Sequence, residues 1–184
     1  EVPSSRWCQA VEGFLNTRRF DLILPPILFD KALAVYEREK IRHHIYGIGL
    51  VNTAKTAAEG EAFPARLPGS LAEEVVTDNP YARGYVDQLL GRLIKCDTEQ
   101  DLKKHERAIT ATCMTYLNNA ARQIRADVYE TPYIGREALR RQKEAKEEEL
   151  ATLKGRLEEV RREAAELAEL NKLLKDRQVL LTKL

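Results

Sequence analysis

Asp97, Glu99 and Asp101 alternate just after the apolar run Leu93 to Cys96. Carboxylates at that spacing behind a strand can imitate an acidic metal cluster at a sheet's C-terminal edge. A plainer reading fits the same residues, with Thr98 as a helix N-cap and acidic side chains favoured in the first turn. His43 and His44 are adjacent, so they point to different sides and cannot share a metal as i, i+4 histidines do. Cys113 beside Met114 lies in an alternating stretch, which favours packing over nucleophilic chemistry. There is no phosphate loop, and Gly47-Ile48-Gly49 is too short for a dinucleotide fingerprint. No catalytic residue, cofactor-binding residue or metal ligand is expected in this chain.

Basic side chains form the remaining candidates. Arg18, Arg19, Arg42, His43, His44, Arg122 and Arg125 fall at loop or strand-end positions, where cations can reach phosphates. Bulk charge gives no support: the chain has 30 basic and 29 acidic residues. Setting aside the 12 basic and 11 acidic residues from Glu137 onward leaves 18 of each. Any nucleic-acid contact must therefore be local. The three cysteines are odd in number and lack zinc-type spacing, which predicts reduced thiols in a cytosolic setting. No stretch is apolar enough to span a membrane. The chain opens Glu1-Val2-Pro3 instead of with Met, so it is expected to be an excised fragment.

The elements that carry these residues follow from periodicity and punctuation. Ser4 and Ser5 are good N-caps for a short helix through Asn16. Phe20 to Leu24 reads as a buried strand ended by Pro25-Pro26, and Ile27 to about Lys40 as a helix with Leu28, Ala32, Leu33, Val35 and Tyr36 inward. Ile45 to Val51 reads as a second strand, whose glycines suggest a close backbone approach or an edge that meets something. This is the grammar of a parallel pair with a crossover helix. Residues 53–70 show little periodicity and read as a linker. Asn79-Pro80 starts a helix to Gly91, Leu93 to Cys96 is a strand, Thr98 caps a helix to about His105, and Ile109 to Leu117 is a strand. The expected fold class is α/β, with two small pseudo-repeated lobes at 1–52 and 71–135 joined by that linker.

From about Glu137 the pattern changes to one polar helix with a heptad seam: Leu150, Leu153, Leu157, Val160, Ala164, Leu167, Asn171, Leu174, Gln178, Leu181. At 1.5 Å per residue, such a rod is roughly 70 Å long. A stripe this narrow needs another helix to cover it. Asn171 at a core position is either a device for fixing register and partner or the mark of a stutter, since Leu170, Leu173 and Leu180 crowd the neighbouring positions. Residues 136–184 are thus expected to be one strand of a coiled-coil arm.

Two α/β lobes followed at once by a coiled-coil helix resemble the hinge of SMC proteins. The resemblance is carried by Ala10 to Leu15, Phe20 to Leu24, Ala32 to Tyr36, Tyr46 to Val51, Tyr81 to Gly91, Leu93 to Asp97 and Asp101-Leu102. Within that superfamily the chain is similar to the SMC-like JetC family of the Wadjet (JetABCD) anti-plasmid systems. Trp7 to Thr17, Tyr46 to Thr53, Ile109 to Met114 and Thr131 to Gly135 carry the likeness. The resemblance implies a non-catalytic hinge, homodimeric through Tyr46–Val51 and Ala108–Ile124, with Tyr46, Gly47, Ile48, Gly49, Thr112, Met114, Tyr116 and Ala120 at the contact. It also implies an upstream half of the arm, possible DNA binding, and ATP and magnesium bound in distant heads. Kleisin-type and nuclease subunits would belong to the same complex. The chain departs from ordinary SMC hinges at Leu117 to Arg122, where no glycine-rich segment occurs. A hinge from a MukB- or MksB-like chromosome-organising condensin is the nearest alternative. A small α/β ligand-binding domain fused to a coiled coil is the alternative of another class.

Overall fold

Helix α1 (Ser5–Leu15) forms because Trp7, Ala10, Val11 and Leu15 recur at helical spacing, and all four are buried. It ends at Asn16, whose φ of 49° stops the helix there. The computed structural model describes residues 1–62 and 66–181. They form a mixed α/β arrangement that divides into two units, Glu1–Leu139 and Arg140–Leu184. The Ser4 side chain makes no capping hydrogen bond, contrary to the expected N-cap.

Strands β1 (Leu22–Leu24) and β2 (Leu50–Asn52) pair in parallel across helix α2 (Phe29–Glu39), as the crossover grammar requires. Both strands are shorter than expected. Phe20 and Leu22 are 41% and 50% exposed, so the run Phe20 to Leu24 is not a buried strand. Residues 45–49 are bend and coil, with Gly47 at a φ of +74° that only glycine adopts easily. Gly49 meets a different demand: a Cβ there would lie 2.7 Å from Asp21 Oδ1, the atom that accepts its N–H at 2.7 Å. The expected close approach is thus to a carboxylate. No residue of α2 is buried, and the helix packs mainly on β2 and the turn before it.

The expected linker is largely a misreading. Thr53–Ala62 is helix α3, which packs on helix α4 (Pro80–Leu90); residues 63–65 lie outside the described residues. Periodicity missed α3 because its buried residues include the threonines Thr53 and Thr56, the latter set against Gly84 of α4. Their hydroxyls donate to the carbonyls of Leu24 and Asn52 at 2.6 and 3.1 Å. Helix α4 begins as expected, with the Asn79 side chain accepting from the N–H groups of Tyr81 and Ala82. Arg83 bridges α4 to the preceding turn through the Val75 and Ala72 carbonyls, and pairs with Asp87 at 2.6 Å.

The second sheet runs β3 (Ile94–Cys96), β4 (Arg107–Thr110), β5 (Met114–Leu117), β6 (Ala120–Gln123), in that spatial order. β3 and β4 are parallel; β4, β5 and β6 form an antiparallel meander. The single strand expected over Ile109 to Leu117 is therefore a hairpin, folded at Ala111 to Cys113 with Cys113 at a φ of 66°. The expected helix after Thr98 is only a 3-10 turn at Leu102–Lys104. Thr98 spends its hydroxyl on the Asp101 carboxylate at 2.7 Å instead of capping a longer helix.

The main core joins α1 to Leu71, Ala72, Leu90, Leu93, Ile109 and Cys113, so the first helix packs with residues from the second half of the compact unit. Short helix α5 (Ala126–Tyr129) closes over α1, with Tyr129 and Ile124 packed at Gly13. The last helix, α6, spans Ala138–Leu181, matching the expected rod. Replacing the α4 cap by Asn79→Ala should lower unfolding stability by about 1 kcal/mol, read by thermal denaturation.

Candidate functional site

Helix α1 places Glu12 on its buried side, fully removed from water. Its Oε1 accepts the backbone N–H groups of Tyr133 and Ile134 at 2.7 and 2.6 Å. Its Oε2 receives Arg19 at 3.1 Å. Arg19 also donates to the Val128 carbonyl at 2.7 Å, and its guanidinium lies 4.4 Å from the Tyr133 ring centre. Phe20 and Tyr133 meet edge to face at 4.9 Å. A buried carboxylate met by three donors thus holds the turn that precedes α6. Arg19 was expected among phosphate-reaching cations; its side chain is 8% exposed and committed to this pair.

The start of the chain lies at the same turn. Glu1 exchanges two backbone hydrogen bonds with Val76, donating to its carbonyl at 2.7 Å and accepting its N–H at 2.8 Å. Gly135 sits so that a Cβ would contact Glu1, and the Arg136 guanidinium is 3.6 Å from the Glu1 carboxylate. Glu1, Val76, Thr77, Asp78, Gly135 and Arg136 line a cavity of about 630 Å³ there, bordered by charged and backbone groups.

The residues expected at a chain–chain contact fall in two places. Tyr46 is exposed and Gly47 turns the chain, while Ile48 gives its carbonyl to the Tyr36 hydroxyl at 2.9 Å. Gly49 is held by Asp21, whose other oxygen accepts from the Tyr85 hydroxyl at 2.5 Å. Burial, then the Asp21 carboxylate, push the Tyr85 phenol well above its ordinary range. On the other sheet, Met114 and Tyr116 pack over Cys96, Leu102 and Ala108, and Thr112 lies in the hairpin turn. Ala120 opens β6, a fully exposed edge strand.

Sequence reasoning missed that edge, although Asn118-Asn119 signals it. Both have positive φ, 52° and 61°, as a two-residue type I′ hairpin requires, and asparagine tolerates this where glycine is usual. The register pairs Leu117 with Ala120 and Thr115 with Arg122, and Ile124 N–H reaches the Cys113 carbonyl at 3.0 Å. The backbone groups of Ala121 and Gln123 therefore face away from β5, unpaired by the sheet.

The other expected cations are dispersed among elements. Arg18 is exposed after α1. Arg42, His43 and His44 are exposed in the turn after α2, where His43 lies 3.5 Å from Glu39 and His44 leans on Tyr46. Arg122 is exposed on β6, and Arg125 is engaged by both oxygens of Asp127.

Groups that could imitate chemistry are otherwise employed. Asp97 pairs with Arg6 at 2.5 Å; Lys104, with help from Thr98, holds the Asp101 carboxyl below its ordinary range. Among the described residues, no three metal-binding side chains gather. Burial pushes the Cys113 thiol up to about 11, so it stays protonated at neutral pH.

Along α6, Leu150, Leu153, Leu157, Val160, Leu167 and Leu174 are between 48% and 62% exposed, and Asn171 is exposed among them. The Leu181 side chain lies outside the described residues. Among the described residues, no helix is long and apolar enough to cross a membrane.

Glu12→Gln should cost about 3 kcal/mol or more in urea unfolding, because Arg19 stays buried without its counter-charge. The double variant Glu12→Leu with Arg19→Met should recover part of that loss, since an apolar pair leaves no buried charge behind.

Comparison with protein-family models, curated proteins and solved structures finds no match to this chain.

Proposed function

We propose that this chain is the dimerisation hinge and arm root of an SMC-like ATPase that acts on DNA in plasmid defence, as in the Wadjet systems. The observation that carries this reading is a compact α/β unit followed at once in sequence by the 44-residue helix α6, whose heptad seam stays exposed. A joint needs a firm root for its arm, and the Glu12 latch fixes the turn from which α6 starts. The uncovered heptad seam supports a second strand, supplied by an upstream helix of the longer protein. Hinge dimerisation is supported by two sets of open edges. A two-stranded parallel sheet has few backbone partners of its own, and β6 offers the outward groups of Ala121 and Gln123.

In this reading the chain is not itself an enzyme, holds no cofactor and works in the cytoplasm. ATP and magnesium belong to the absent heads and cleavage to a separate subunit. Its work is mechanical: a rigid joint closes two arms into a ring or clamp around DNA.

The chain should self-associate at tens of micromolar in light scattering; a monomer there would contradict the hinge. Ala121→Pro removes an outward N–H from β6 and should weaken the dimer while leaving the thermal transition near that of the unmodified chain. Any DNA binding should be salt-sensitive. Reversing the exposed charges Arg18, Arg42 and Arg122 to Glu should then weaken it in mobility shifts and flatten its salt dependence. Unchanged shifts would make these groups ordinary surface.

A further inference from the structure

The flanks of the α6 seam carry a charge pattern that the helix leaves unbalanced. With Leu150 at a, the flanking e and g positions include Glu147, Glu149, Lys154, Arg156, Arg161, Glu163, Lys175 and Arg177. The acidic flanks nearest the start of the helix are already met from within it: Lys143 reaches Glu147 at 3.6 Å and Lys146 reaches Glu149 at 2.6 Å. Arg161 is met by Glu158 at 3.1 Å. Among the described residues, Lys154, Arg156, Lys175 and Arg177 have no ion-pair partner. Glu163 is the acidic exception.

A second copy of the helix answers this pattern poorly. Two parallel copies in register would pair Glu149 with Lys154 but set Arg156 against Arg161 and leave Lys175 on Leu170. An antiparallel copy can match the seam, with Leu150 on Leu174 and Leu157 on Leu167. It also brings Glu147 to Lys175 and Glu149 to Arg177. Yet it leaves Lys154 on Ala168, Arg156 on Leu170 and Arg161 facing itself. Flanking charges choose between partners in a two-stranded coil, and a like charge directly opposite excludes one.

We propose that the α6 seam is built for a different helix, one that presents carboxylates opposite Lys154, Arg156, Lys175 and Arg177. This rests on reading α6 as one strand of a two-stranded coil and adds the chemistry of the other strand.

The test uses the full chain and two synthetic helices about four heptads long with leucine seams, one flanked by glutamate and the other by lysine. By fluorescence anisotropy at low salt, the glutamate helix should bind about tenfold tighter than its twin, and the gap should narrow as salt rises. The variant Lys154→Glu, Arg156→Glu, Lys175→Glu, Arg177→Glu should reverse that order. All four side chains are exposed, so the helix itself survives the change. Equal affinities, no binding of either helix, or an unreversed order would overturn the proposal. A mixture of Leu157→Cys and Leu167→Cys chains reports antiparallel self-pairing as a cross-link between the two. If saturating glutamate helix fails to suppress that cross-link, the occupant is a second copy and the proposal falls. A chain that is monomeric by mass but ranks the helices as expected would sink the hinge reading and leave this one standing.

Discussion

Glu12 carries its charge inside the compact unit, and the groups that meet it tie together parts of the chain far apart in sequence. Removing a carboxylate from water is tolerable only when counter-charge and donors replace the lost hydration. Here Arg19 supplies the counter-charge, and the backbone of Tyr133 and Ile134 supplies two further donors. Satisfying one anion therefore fixes the turn after α1 and the turn before α6 together. Arg19 in turn lies beside the rings of Phe20 and Tyr133, which close the same region with aromatic surface. The end of α1 and the stretch before α6 are thereby held together.

Asp21 plays a comparable part at the smaller sheet. One oxygen holds the Gly49 N–H at the entry to β2 and the other holds the Tyr85 hydroxyl on α4. A parallel pair of only three residues per strand has few ladder bonds to resist shear. A carboxylate that grips both the second strand and a covering helix compensates for that. The same grip explains why position 49 is glycine: any Cβ would collide with the oxygen that does the holding.

What this construction leaves open is as informative as what it closes. β6 ends a meander with its outward backbone unmatched by a strand, the smaller sheet has no third strand among the described residues, and α6 carries an exposed apolar seam. These are the surfaces through which a joint would pass geometry to other helices and strands. Three titratable groups of the kind used in catalysis serve structure instead: Asp97 pairs with Arg6, Asp101 with Lys104, and Cys113 lies in the core.

Local signals made several elements legible from sequence. Asn79-Pro80 marked the start of α4 because cap and first-turn chemistry act within four residues. The heptad seam announced α6, since its period needs no tertiary context. Helix α3 was hidden because Thr53 and Thr56, not an apolar stripe, mark its buried side. The β4–β5 hairpin was hidden because its turn places Cys113, not glycine, at positive φ. Tertiary structure alone decided the roles of Arg19 and Glu12. An arginine in a basic pair looks like surface until a carboxylate one face away on α1, and a turn more than a hundred residues on, converge on it. The sequence by itself determined where helices and turns could begin and that α6 carries a heptad seam, because those depend on neighbours along the chain. Which charges are buried, and which edges stay open, depended on distant groups meeting, and only the folded chain could settle that.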